Sequence, residues 1–221
     1  MSEHDDFSAE ALFRRALAAK SDGSQAKTSA SSATHLFQQI ACMASKGVSP
    51  AHMAQIGTRN TARVFGPNIT SKAYSFSELG NVLAGETDDE GSERGAIRHV
   101  LWQADIASNF GMKTARDVGD CHEDNVPFDP LQRIYHSSAE ADHAVDQHNN
   151  RIGRALGWNH RGYTTKQLAV EALNYARTRG VYESRRLPDG TYEVEKKKLN
   201  DDTWARLFSW IGKSDENGNL R

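Results

Sequence analysis

The 221-residue chain has only two cysteines and five prolines, no apolar run near the roughly 20 residues a bilayer crossing takes, and no marked excess of charge of either sign. Each shortage removes a class. Without a continuous apolar stretch no transmembrane helix is expected, and 38% hydrophobic residues with a mean hydropathy of −0.68 are adequate for a polar-surfaced core-forming chain. A net charge of −2 and an isoelectric point near 6.5 lack the basic footprint of a nucleic-acid-binding domain. Only Arg185, Arg186 and Lys196 to Lys198 suggest a local basic patch. Cys42 and Cys121 match neither a zinc spacing nor a disulfide-dense scaffold. They read as two buried or half-buried thiols, with two alternatives: a single disulfide formed after export, or a Cys121 thiolate beside His122. The opening MSEHDDFSAEALFRRALAAK lacks the basic and apolar regions of a secretory signal. Synthesis in a cytoplasm, with export by a machine that reads no such signal, is the expectation.

What is present is helical periodicity. Residues 8 to 20 predict a first helix, followed by the Ser/Thr/Ala-rich SDGSQAKTSASSAT. Residues 1–30 are accordingly expected as a helix and flexible linker, 31–213 as the helical domain with the chemistry, and 214–221 as a polar tail. THLFQQIACMASKG predicts a helix stopped by Gly47, and SPAHMAQIGTRNTARVF another with Ser49 as its cap and Pro50 in its first turn, ended by Pro67. A shorter helix is expected around Ser75 to Leu83, then an acidic loop, AGETDDEGSE, leading into a helix over 94 to 110 ended by Gly111. There Ile97, Val100, Leu101, Ala104 and Ala107 form the core stripe, while Arg98, Trp102, Asp105 and Asn109 make a separate polar-aromatic face. A short successor ends at His122 and Glu123, and a long helix is expected from 131 to 156. After a further helix over TTKQLAVEALNYARTRG, two alternating segments around Pro-Asp-Gly predict a β-hairpin near 181–195. The last helix carries Trp204, Phe208 and Trp210, whose segment WARLFSWIG is the candidate exposed apolar surface. The fold class expected is mainly α, a single helical domain with one C-terminal β-hairpin.

The chemistry concentrates between 99 and 160, which hold six of the nine histidines. His136, Glu140, His143 and Gln147 fall on one face of the long helix, and Asp142, Asp146, Asn149 and Gly153 on the adjacent one. Imidazole and carboxylate at helical spacing suit a divalent metal such as zinc, for which His99, His122, His143 and Asp146 are the candidate ligands. They equally suit acid-base catalysis by Arg98, His99, His122, Glu123 and Asp146, with Arg98 meeting anionic charge. Spacing does not separate the two. His136, His148 and His160 read as solvated. Arg98, beside an apolar stripe, calls for a carboxylate partner in Glu123 or Asp146. Trp102 reads as core or as a pocket wall, and the pair Asn149 and Asn150, poor helix formers, as substrate-binding residues.

The three segments together, R-H-x-x-W at Arg98, His99 and Trp102, H-E at His122 and Glu123, and D-x-x-N-N-x-x-G-R from Asp146 to Arg154, resemble a poorly characterised bacterial domain family of secreted or toxin-like proteins. The resemblance spans about residues 94 to 157 and leaves His136, Glu140 and His143 outside the pattern. It implies a helical domain whose shared polar residues are Arg98, His99, His122, Glu123, Asp146, Asn149 and Asn150; taken with the N-terminus and the modest size, it leads to the expectation of an antibacterial effector of the kind type VI secretion delivers. Such an effector would be exported without a signal peptide and would act as a hydrolase on peptidoglycan or its lipid-linked precursor in the periplasm of a target cell. An immunity protein and a secretion-system component would be its partners. The alternatives are a metal-dependent phosphodiesterase or phospholipase, a non-enzymatic binding module with a structural polar cluster, and a nuclease toxin.

Overall fold

The computed structural model describes residues 26–78, 92–124 and 126–220. The helix expected over 8 to 20, and most of the acidic loop, lie outside the described residues. The chain is mainly α with one small antiparallel sheet. In order, α1 is Ala26–Ser45, α2 Pro50–Ile56, α3 Arg59–Phe65, α4 Ile69–Glu78 and α5 Glu93–His122. Then come β1 Ile134–Tyr135, α6 Ser138–Asn159, α7 Thr165–Arg179, β2 Val181–Arg186, β3 Tyr192–Lys197 and α8 Asp201–Lys213. Among the described residues no helix is long and apolar enough to cross a membrane.

Helix α5 organises the fold. Ser92 caps it by accepting from the Gly95 N–H, Glu93 sits in its first turn, and Gly111, at φ 86°, interrupts it at the expected stop. Along its first half Ala96, Val100, Leu101, Ala104, Ile106 and Ala107 are buried, but so are His99, Trp102, Gln103 and Asp105. A helix buried all round has neighbours on every side. The principal neighbour, α6, approaches so closely because Gly153 and Gly157, four residues apart on one face, present no side chain. A Cβ would lie 2.3 Å from the Val100 carbonyl oxygen at the first position and 2.0 Å from that of Ala104 at the second. On another side, Thr165 Oγ1 donates to Asp105 Oδ2 at 2.7 Å, clamping α7 to α5.

The hairpin forms around Pro-Asp-Gly as expected, in a register pairing Val181 with Lys197 and Arg186 with Tyr192. Two of its basic residues are paired with carboxylates. Arg185 pairs with Glu193 and Glu195, and Lys197 with Glu183, as opposite charges on one face of a sheet do.

Several expectations are corrected. The long helix does not begin at 131: Ile134 and Tyr135 pair with Glu193 and Tyr192 on β3, and the helix starts at Ser138 behind a Ser137 cap. Burial of Tyr135 against α6 and Val194 outweighs the local helical pattern. The helix expected over 50–65 is two helices, since Gly57 at φ 60° ends α2 and a Thr58–Thr61 capping box starts α3. Helix α1 reaches back to Ala26, into the segment expected as linker. The tail folds back, with Ser214 bridged to Leu220 and Gly218 packed against Ser75 and Phe76 of α4. Finally, Cys42 and Cys121 are not free thiols. They form a disulfide, with Cα atoms 5.7 Å apart and 79 positions apart in sequence, that joins α1 to the end of α5.

Candidate functional site

A cavity of about 1080 Å³ opens between α1 to α4 on one side and α5 on the other. The polar-aromatic face of α5 points into it, with Arg98, Trp102, Asp105 and Asn109 all on its lining together with His99 and His122. Much of the opposing wall is apolar, including Leu36, Ile40, Met43, Met53, Ile56 and Ile69. Trp102 serves both roles read for it. It is 8% exposed, donates from Nε1 to Thr70 Oγ1 at 3.1 Å, and sets its ring 5.0 Å from that of His122.

The polar cluster forms where α5 and α6 run side by side. His99 Nδ1 lies 3.1 Å from Asn150 Oδ1 and its Nε2 3.3 Å from Asp146 Oδ2, so one imidazole spans two α6 residues four apart. His122, at the far end of α5, brings its ring centroid within 5.8 Å of that of His99. Glu123 follows as the C-terminal cap of the helix. One ligating atom from each of His99, His122 and Glu123 lies within 4.8 Å of the others. Three of the predicted catalytic residues therefore converge, and Asp146 joins them through His99.

Burial, then the repulsion of His122, pushes the His99 imidazolium down to a pKa of about 4, and burial likewise depresses that of His122. Both rings are neutral near pH 7 and have a lone pair to offer. Burial alone would raise Glu123, but its hydrogen bond with His143, and the attraction of the nearby imidazoles once they are protonated, outweigh this and hold it below the usual carboxylate value. His143 is raised in turn, chiefly by that bond. Three buried polar atoms of the cluster, Glu123 Oε1, Asn150 Nδ2 and His143 Nε2, have no hydrogen-bond partner among the described residues. With Nδ1–H donating to Asn150 Oδ1, neutral His99 turns its Nε2 lone pair toward the Asp146 carboxylate; with the proton on Nε2 it donates to Asp146, and Asn150 turns its idle Nδ2 to Nδ1.

Other predicted residues fall elsewhere. Asn149, expected as a substrate contact, is fully buried; it donates from Nδ2 to the Tyr182 carbonyl at 2.9 Å and accepts from the Tyr182 N–H at 3.0 Å, fastening α6 to β2. Asn150 touches His99 and orients it. His143 is not in the ligand triplet; it stands behind Glu123 with Nδ1 3.4 Å from Oε2. Arg98 lies over the ring of Tyr74, 4.7 Å from its centroid. His148, expected in solvent, is buried and stacked on Tyr182 at 3.9 Å, with Arg133 donating to its Nε2. Trp204 and Trp210 pack onto the core, so α8 leaves only Phe208 as a large exposed apolar side chain. Sequence reasoning missed Gln39, whose Nε2 donates to His122 Nδ1 at 3.1 Å. A glutamine in an amphipathic helix has no local signature that marks it.

Residues 63–181 match the model of a family described as a domain of unknown function, DUF6973. The matched stretch is more than half of the chain and holds every residue of the cluster except Gln39. No curated protein and no solved structure matches significantly.

Proposed function

We propose that this chain, which belongs to the DUF6973 family, is a divalent-metal-dependent hydrolase whose ion is held by His99, His122 and Glu123 with Asp146 beside them. One arrangement supports the metal above all. His99 Nε2 and the Asp146 carboxylate face each other at 3.3 Å, next to a buried carboxylate oxygen that bonds to nothing. In the tautomer that donates from Nδ1 to Asn150, these two electron-rich atoms repel each other unless a cation lies between them; with the proton on Nε2 they make a plain hydrogen bond. Ligands bonded at about 2.0–2.1 Å around a tetrahedral zinc stand about 3.3 Å apart, so the spacing fits. Donation from His99 Nδ1 to Asn150 is the usual way a ligating imidazole is oriented.

A divalent ion in this place supplies Lewis acidity and lowers the cost of making hydroxide from water. The protein's own groups do the rest. Neutral His99 and His122 stay available as ligands or bases at pH 7, and Asn150, by accepting from Nδ1–H, sets Nε2 as the nitrogen His99 presents. Arg98, propped on Tyr74 at the cavity wall, meets negative charge developing on the substrate. An apolar wall facing a cluster with arginine beside it suits an amphipathic, anionic molecule. Of the envelope substrates considered, the lipid-linked precursor or a phospholipid fits this cavity better than polymeric peptidoglycan. A disulfide supports an oxidising site of action, for which the periplasm of a target cell is our proposal. Delivery as a toxin, with a cognate immunity protein, rests on the family resemblance alone.

The test is elemental analysis of purified protein beside a growth assay, comparing wild type with His99→Ala and Glu123→Gln in cytoplasm and periplasm. Stoichiometric zinc or another divalent ion, and periplasmic toxicity lost in both variants, is the expected result. A folded protein that takes up no divalent ion on titration would overturn the reading and leave the cluster as a polar clamp between α5 and α6.

A further inference from the structure

Helix α1 is an unusual wall for a site. None of its residues from Thr34 to Ser45 is buried, and Phe37 is 42% exposed. Partly buried Met43 is its one side chain packed onto the core cluster among the described residues. The hydrophobic effect, which scales with apolar area removed from water, holds residues 34–45 of this helix weakly. Yet its polar side chains reach the cluster: Gln39 donates to His122 Nδ1 at 3.1 Å, and His35 pairs with Asp124 at 3.3 Å. Beside them lies the Cys42–Cys121 disulfide. Cys42 is three residues after Gln39, one helical turn along, and Cys121 immediately precedes His122. The covalent link therefore joins the two segments within one turn of the contact it serves. Both Gln39 and Cys42 lie outside the residues that match the family, so the tether is added to the domain from its flank.

We infer that Gln39 is the positioning residue for His122, and that the Cys42–Cys121 disulfide is what keeps it in place, so that the site is complete only in the oxidised chain. As placed, the Gln39 N–H donates to Nδ1 and puts the proton of neutral His122 on Nε2; turning the amide so that its oxygen accepts from Nδ1–H gives the tautomer whose Nε2 lone pair faces His99 and Glu123. Reduction adds two electrons and two protons, breaks the sulfur–sulfur bond and gives two thiols. With a phosphine reductant the phosphorus takes an oxygen from water and becomes the phosphine oxide. Freed of the link, α1 opens as a local unit, as elements with few buried contacts do, while α5 to α8 keep their core. Synthesis in a reducing cytoplasm would give an incomplete site, and entry into an oxidising compartment would finish it.

The metal role of His122 rests on the proposed function; the contact and its redox control do not, and the experiment separates them. The folded full chain, zinc-free, labelled with ¹⁵N-histidine, is compared oxidised, after phosphine reduction, and as Cys42→Ser/Cys121→Ser, Gln39→Leu and Gln39→Glu. Hydrogen exchange over residues 34–45 and over α5–α7 is followed, and then zinc affinity. Expected are fast exchange of α1 with α5–α7 still protected in the reduced and serine forms, and a changed His122 ring ¹⁵N pattern in these and in Gln39→Leu. Zinc affinity should fall about 10- to 100-fold in each, the usual cost of losing a partner that orients a ligand. Gln39→Glu, which keeps a polar partner for Nδ1, should recover most of it. If α1 stays protected on reduction, or the His122 signals are the same in Gln39→Leu as in wild type, the inference is wrong. If no form binds zinc while the exchange and ¹⁵N changes appear as described, the metal reading fails and the tether stands.

Discussion

Replacing His99 by glutamine should remove a specific part of this protein's acid sensitivity. The wild-type imidazole titrates at about 4 in the folded chain against 6.5 unfolded, because it is buried beside His122 and Arg98. Its proton is therefore bound more readily by the unfolded chain. The stability belonging to the neutral ring is fully present above pH 6.5 and is lost progressively as the pH falls toward 4. Each pKa unit is worth about 1.4 kcal/mol, so between pH 7 and pH 5 His99 alone costs the wild type about 2 kcal/mol. His122, depressed by burial, adds loss of the same sign in both proteins. The glutamine of His99→Gln cannot titrate, so the variant, whatever its stability at pH 7, should lose about 2 kcal/mol less over the same interval. The assay is urea denaturation at the two pH values with a chelator present, so that no metal stabilises the neutral form. Equal losses in the two proteins would refute the placement of His99 as a buried neutral base.

Two further predictions concern the frame that holds the site. Gly157→Ala should cost about 3 kcal/mol or more, because its Cβ would sit 2.0 Å from the Ala104 carbonyl oxygen; differential scanning calorimetry should show a melting point lower by about 6–12 °C. Gly212→Ala in α8, with open space around the added carbon, is the control and should melt no lower than wild type. Asn149→Leu strands both backbone groups of Tyr182 and should destabilise the chain by about 2–4 kcal/mol, with faster amide exchange at Val181 and Tyr182. Zinc affinity should be unchanged in the folded fraction; a lost affinity at intact stability would restore Asn149 to the site.

The helices with strong periodicity and their own punctuation were legible in the sequence. Ser49 and Pro50 start α2, Gly111 interrupts α5, and Pro-Asp-Gly turns the hairpin, because caps, left-handed glycines and turn residues act within a few residues of the chain. The start of α6 was not, since Tyr135 is a strand residue only because β3 and Val194 lie beside it. Convergence of His99, His122 and Glu123 was legible in outline from two segments of α5 and its cap. The division of labour was not. Asn149 and Asn150 are adjacent in sequence but point about 100° apart around a helix, so one meets the backbone of Tyr182 and the other meets His99.

Sequence alone determined the helical class, the hairpin, the absence of an apolar run long enough to span a bilayer, and the set of residue types from which a site could be made. These follow from local propensity and from composition, which need no knowledge of distant neighbours. Tertiary structure alone decided that two distant cysteines meet, that Gln39 reaches His122, and that His143 stands behind Glu123 while Asp146 faces His99. Those are contacts between elements up to 83 residues apart in the chain. They are set by how closely α6 packs on α5 at two glycines and by where a disulfide pins α1, and a long-range contact of that kind leaves no periodic trace in the segments it joins.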